Sequence, residues 1–306
     1  MGQIAAPPGP PSGITQFAAY PHGGDQASSS NMIGAIFGIL AALLIGLSDL
    51  FGRQVTAKSS AITAASTMQA FGAASVLISL LFWPGTFSSS DLALGALSGV
   101  GFAVGLSSYY LGLTRASSAV VAPLAAVLSA LIPFGWVVVG GTEVSPLSTI
   151  GVGLALVGLI AVTTDTPKTA LTKLGIQLGV LAGVGYGIGQ ALLLEVTTTA
   201  GPVAIAGQRV IAFGLMIPLA AATKNRVLAP IGTRNWGIAA GICAGGASVA
   251  LFQGLRFDPV AAVIGISLFP VFSVIVGRIR YLDTLTKRQV LGIACAVLGT
   301  AGVAAG

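Results

Sequence analysis

The sequence predicts an all-α integral membrane protein of ten transmembrane helices, arranged as two inverted five-helix repeats. Three observations carry that expectation. Of 306 residues, 55% are hydrophobic and only 7% charged, with a mean hydropathy of +0.95. Soluble domains carry about a quarter charged residues, so lipid must solvate most of this surface. Apolar runs of about 17–22 residues follow one another along the chain, each long enough to span a bilayer as a helix. Finally, the two halves resemble each other at an offset of 140–142 residues.

Residues 1–31 are rich in Pro, Gly and Ser and contain no Lys or Arg. Such a composition cannot bury a core, so a disordered tail is expected. It lacks the basic start and short apolar stretch of a secretory signal. Ala6 stands where a myristoylation signal requires Ser or Thr. The chain's one histidine, His22, falls in this tail, which supports neither a metal site nor base catalysis.

The expected helices then run over 33–53, 61–83, 92–113, 119–140 and 148–164, and over 174–195, 202–222, 236–255, 260–278 and 289–305. The breaks carry turn chemistry: "WPGTFSSSD", "TRASS", "GGTEVSP", "TDTPKTALTK", "TTTAGP", "TKNRVLAPIGTRN" and "RFDP". No connection has room for a separate catalytic or nucleotide-binding domain. The first repeat is therefore placed at 32–165 and the second at 174–306.

Aligned segments define the repeat. "VTAKSSAITAASTMQAFG" (55–72) matches "VTTTAGPVAIAGQRVIAFG" (196–214), and "GALSGVGFAVGLSSYYLGLTRASSAV" (95–120) matches "GIAAGICAGGASVALFQGLRFDPVAAV" (237–263). Five helices is an odd number, so the second half enters the bilayer upside down. Inverted repeats with a site at their interface are a design of secondary transporters. Twelve Lys and Arg fall after helices 1, 3, 5, 7 and 9, and only Arg256 on the other side. By the positive-inside rule this puts both termini outside the cytoplasm.

Other classes find little support. The charge of +6 reflects cytoplasmic loops, and no basic run exceeds two residues, so no nucleic-acid partner is expected. Cys243 and Cys295 form neither a disulfide framework nor metal spacing. No P-loop motif is present, and no nucleophile–base pair or metal motif indicates an enzyme. No cofactor is expected.

Each half contains a "GL", a polar turn, a small-residue helix, an acid and a Gly-studded helix: "YLGLTRASSAVVAPLAAVLSALIPFGWVVVGGTEVSPLSTIGVGLALVGL" and "FQGLRFDPVAAVIGISLFPVFSVIVGRIRYLDTLTKRQVLGIACAVLG". Over about residues 33–305 this resembles the EamA-like branch of the drug/metabolite transporter superfamily. The resemblance implies a ten-helix permease for small metabolites, with Pro270 as the mid-helix proline. It assigns Glu143 and Asp283 to the acid of each half, and Arg209 to an arginine often carried by the second helix of a half. The chain departs from the pattern with Leu128 or Ser129 opposite Pro270, and Thr67 or Met68 opposite Arg209. The resemblance also implies cytoplasmic termini, against the charge count.

Ionisable groups inside a membrane are functional hypotheses by default. Asp49 is four residues from Arg53, close enough for an ion pair on one helix face. It also aligns with Gln190 across the repeat, which makes it a candidate inner-gate residue. Arg209 lies seven residues, about 10 Å, into its helix. It either fixes the 6–7 hairpin, with Glu195 and Gln190 as candidate partners, or lines the substrate path. In "GVGYGIGQALLLEV" four glycines surround Tyr186, which suggests local unwinding or close packing. Tyr109, Tyr110 and Gln253 occupy repeat-equivalent stretches and are candidate cavity-lining groups, with an interfacial aromatic belt the alternative for the tyrosines. Gly237, Gly241 and Gly245 form a small-residue packing face.

The function expected is secondary active transport of a small amino-acid-like or drug-like solute across the cytoplasmic membrane, in the export direction. A passive channel or a non-transporting scaffold is the alternative. Protons are the expected coupling ion if transport is ion-coupled, because carboxylates are few. The protein is expected to be a monomer or homodimer.

Overall fold

The computed structural model describes residues 24–82, 84–116, 118–141, 144–163, 173–197, 199–266, 268–269, 271–272, 275 and 286–305. Among them no strand occurs. The helices are α1 Gly24–Thr56, α2 Ala61–Ser79, α3 Ser89–Arg115, α4 Ser118–Val139 and α5 Pro146–Thr163. They continue as α6 Lys173–Leu194, α7 Pro202–Ala222, α8 Ile231–Phe257, α9 Pro259–Ile266 and α10 Lys287–Ala305. Six of them, α1, α2, α3, α6, α7 and α8, are long and apolar enough to cross a membrane. The chain is a multi-pass membrane protein. Glu143, Pro270 and Asp283 lie outside the described residues, as does His22.

Most helix ends agree with the expected ones to about a turn; α8 starts at Ile231 rather than near 236, α9 spans Pro259–Ile266 against an expected 260–278, and the largest early start is that of α1. It begins at Gly24 rather than near 33. The segment "DQASSSN" is polar but contains neither Gly nor Pro, so nothing in it stops a helix from growing backwards. The Ser30 hydroxyl also donates to the carbonyl of Phe257 at 2.6 Å, tying this extension to the end of α8. Elsewhere serines cap as their positions demand. Ser60 accepts from the Thr63 amide at 3.1 Å and Ser145 from the Ser148 amide at 2.9 Å.

Packing follows the sequence repeat. Helix α1 lies against α8 and α9, while α6 lies against α3 and α4; α2 packs on α8, and α7 on α3. Exchanging the first five helices for the last five, in order, converts each member of these pairs into the other. The contacts of α2 with α7 and of α5 with α10 map onto themselves. A pseudo-twofold relation between the halves is thus present in the packing as well as in the sequence.

Close approach is made possible by glycine. A Cβ on Gly185 would stand 2.7 Å from both the Gly101 carbonyl and the Gly105 amide on α3. Gly183 and Gly187 face α4 instead, where added Cβ atoms would meet Leu128 at 2.6 Å and Ile132 at 2.8 Å. The four glycines of α6 therefore serve two packing faces, and the helix is unbroken. Close packing explains them and unwinding does not. Gly237 and Gly241 meet α2 in the same way, at Thr67 and at Gly72, as the small-residue spacing predicts.

Polar side chains tie the bundle at its ends and inside. Asp91, fully buried, accepts from the Thr197 amide at 3.0 Å and the Thr197 hydroxyl at 2.6 Å. The Thr86 amide donates to the Thr199 carbonyl at 3.0 Å, so the segments entering α3 and α7 are joined. Within α2, Thr67 Oγ1 accepts from the Ala229 amide at 2.8 Å. In the interior, Gln208 Nε2 donates to Ser98 Oγ at 2.8 Å, which donates to the Gly189 carbonyl at 2.6 Å. That chain links α7, α3 and α6.

Candidate functional site

Helices α1 to α4 and α6 to α9 contribute to the wall of an interior cavity of about 80 Å³, several times the room one water needs. Its walls include the ionisable groups Asp49 and Arg209 and the polar groups Ser48, Gln69, Ser129 and Gln190. Phe102, Tyr109 and Tyr186 supply the aromatic wall. Few convergent polar groups on an otherwise apolar lining is the usual make-up of a small-molecule site.

Arg209 is the best-defined member. It sits on the buried face of α7 with 5% of its surface exposed. Its Nη1 donates to Gln69 Oε1 at 2.8 Å and its Nε to Ser248 Oγ at 3.1 Å. Nη2 donates to the Ala244 carbonyl and to Ser248 Oγ. The guanidinium carbon lies 5.9 Å from the centre of the Phe102 ring, within cation–π range. All of these partners are neutral. The expected pairing with Glu195 is not made. Arg209 extends toward α2 and α8, whereas Glu195 Oε1 accepts from Trp136 Nε1 at 2.7 Å. Gln190 lines the same cavity but is not among the partners of Arg209.

Four other sequence candidates fall in the cavity wall with Arg209: Asp49, Tyr109, Tyr186 and Gln190. Asp49 stands seven residues before the end of α1, about 10 Å at 1.5 Å per residue, because α1 continues to Thr56. The wall position takes Asp49 away from the helix edge. Arg53 sits exposed in the last turn of α1, where a cation favours the helix dipole. Tyr109 is buried rather than interfacial. Its ring meets that of Tyr186 edge-on at 6.4 Å and that of Tyr110 at 6.0 Å. Tyr110 is buried behind it, with its hydroxyl against Gly52, and is not in the lining. Gln253 is also away from the cavity. It accepts from Arg256 Nη1 at 3.1 Å near the end of α8.

Three residues of weight were missed: Gln69, Phe102 and Ser248. Gln69 was legible, since a lone amide in the apolar run "STMQAFG" is costly unless used. Gln69 is 1% exposed and its Nε2 has no hydrogen-bond partner among the described residues. The same is true of Gln190 Oε1.

The lining also carries the repeat. Ile45 and Tyr186, Asp49 and Gln190, and Met68 and Arg209 all face it, and each pair is 141 residues apart. Met68 rather than Thr67 is thereby the counterpart of Arg209. Cys243 and Cys295 are free thiols. Among the described residues no group of His, Cys, Asp or Glu could hold a metal ion.

Residues 173–305 match the model of the EamA-like transporter family, part of the drug/metabolite transporter superfamily. No curated protein matches this chain. A crystal structure of another protein, 18% identical, superposes with a TM-score of 0.71 over 88% of this chain and 95% of its own length. That similarity extends the likeness of fold to both halves.

Proposed function

We propose that this chain, an EamA-like transporter by its second half, moves a small metabolite across the cytoplasmic membrane by alternating access. Members of the family are transporters and not enzymes. Ten spanning helices in two inverted repeats would complete the arrangement, with repeats at 32–165 and 174–306 after a tail of 1–31. The observation that carries the reading is the cavity whose walls pair Asp49 with Gln190, Met68 with Arg209 and Ile45 with Tyr186. Residues related by an inverted repeat can share one cavity only near the pseudo-twofold axis, which lies at the membrane midplane. Alternating access then requires rocking of the halves to expose that cavity to each side in turn.

The Lys and Arg distribution supports termini outside the cytoplasm. The solute is amino-acid-like or drug-like, export is the direction and protons the coupling ion. Glu143, Pro270, Asp283, Arg53 and Glu195 serve the frame, and Tyr110 and Gln253 the path beyond the cavity.

Reconstituted vesicles test the central statement. Preloaded unlabelled solute should drive uptake of labelled solute, and flux should saturate. Linear flux without exchange would point to a channel, and absence of flux over a broad solute set to a scaffold. Collapsing the pH gradient tests the proton: unchanged net flux removes it.

A further inference from the structure

We propose that the connection between α7 and α8 is a binding site for the head of an anionic phospholipid, its phosphate held by Lys224, Arg226 and Arg234. The proposal concerns the surface of the bundle and is independent of the cavity and of the transport reading.

Helix α7 has 21 residues and ends at Ala222. At 1.5 Å per residue it covers about 30 Å, the thickness of the hydrocarbon layer. The connection that follows, up to the start of α8 at Ile231, therefore falls at the level of the headgroups. Its apolar neighbours suit that level. Ile231 is 84% exposed and Trp236 is 44% exposed, with the indole stacked on Phe51 at 5.7 Å. A tryptophan at this height is an interfacial anchor, and the pair offers an apolar surface for the upper part of an acyl chain.

The charges beside it are all of one sign. No acidic residue occurs between Ala222 and Phe257. Lys224 and Arg226 are exposed, and their side chains have no hydrogen-bond or ion-pair partner among the described residues. Arg234 donates from Nε to the Ala229 carbonyl at 3.3 Å. That bond fixes the guanidinium against the loop and leaves its Nη1 and Nη2 unused. A fork held in this way matches two oxygens of a phosphate.

The loop that carries these cations is stapled on both sides. The Asn225 amide donates to the Ala220 carbonyl at 2.8 Å, and Asn225 Nδ2 donates to Thr223 Oγ1 at 2.9 Å. Between them Lys224 turns the chain with a φ of 54°. Further along, the Val227 carbonyl accepts from Ser66 Oγ at 2.5 Å and the Ala229 amide donates to Thr67 Oγ1. Little ordering remains to be done when a ligand arrives. The equivalent connection of the first half supplies an internal control. Residues 80–88, "LLFWPGTFS", contain no Lys or Arg, yet the Thr86 amide pins them to the Thr199 carbonyl just as firmly. The cations of the second half are thus not needed to shape the loop. The positive-inside rule asks for basic residues at one end of a bundle, but not for a guanidinium fixed by its Nε on a stapled loop.

Native mass spectrometry of the purified full chain tests the site. The protein is incubated with equal amounts of phosphatidylglycerol and phosphatidylcholine of identical acyl chains, and the first should be retained about tenfold over the second. Lys224→Asn with Arg226→Gln should bring the ratio close to one, and asparagine accepts the backbone at position 224. Arg115→Gln with Lys173→Gln removes as much charge at the end of α3 and the start of α6 and should leave the ratio unchanged. Arg234→Lys keeps the charge without the fork and should lower the ratio severalfold. No preference in the unaltered chain, equal effects of the two double variants, or displacement of the lipid by excess inorganic phosphate would each overturn the proposal, the last by showing a site for a free ion.

Discussion

Gln69 and Arg209 are 140 residues apart in the chain, yet a 2.8 Å hydrogen bond joins them in the interior. One belongs to α2 and the other to α7, the equivalent helix of the second half. The bond thus crosses between the repeats at the wall of the cavity. A relative motion of the halves must stretch it, turn with it or break it.

Arg209→Ala should reduce solute exchange about tenfold or more, because it removes the only cation in the described cavity wall. It also strands Gln69 Oε1, so a lower melting temperature is expected. Arg209→Lys restores the charge but lacks the fork that reaches three acceptors. Its exchange should fall between the two, as measured by counterflow.

Asp49→Asn keeps the shape of the wall and removes its anion. Loss of exchange with the melting temperature nearly unchanged is expected. Lowered stability with unaltered exchange would favour an ion-pair role with Arg53 over a role in the solute path.

Gly185→Ala should destabilise the bundle by about 1–3 kcal/mol through overpacking, since the new Cβ meets backbone of α3 at 2.7 Å. Gly214→Ala is the control. It meets nothing within 4 Å, and the helix should gain up to about 1 kcal/mol. Chemical denaturation in a fixed detergent reads both, and equal effects would refute the packing account of α6.

Asp91→Ala leaves the Thr197 amide and hydroxyl without their shared acceptor. Thr197 is half-buried, so a total loss of about 1–3 kcal/mol is expected. Hydrogen exchange at Thr197 should accelerate while that of the α5–α10 pair is unchanged. Asp91→Asn retains one acceptor oxygen and should lose less.

How far the sequence reached depends on the distance over which each feature is written. Helix positions are local, and runs of lipid-compatible residues bounded by Gly, Pro and Ser marked nearly all of them. The start of α1 was not legible, because its polar extension is held by a contact with Phe257, more than two hundred residues away. Asp49, Tyr109, Tyr186, Gln190 and Arg209 stood out as polar groups in apolar runs, and the repeat aligned two of them. The partner of Arg209 did not, since side-chain direction decides it. Glu195 was nearer in sequence and opposite in charge, but it turns to Trp136. Ser248 and Phe102 are ordinary residues in a membrane helix until the fold puts a guanidinium beside them.

Helix α6 has glycine on both flanks: against α3 it meets backbone at Gly101 and Gly105, and against α4 the side chains of Leu128 and Ile132. Interdigitated side chains hold a helix in discrete notches; the α3 side, where backbone lies on backbone, has shallow ones. The bulky group that this shaft carries toward the cavity is Tyr186. Any small twist of α6 would sweep that ring across the space beside Asp49 and Arg209, turning a minor rotation at the backbone into a large change in what the cavity can hold.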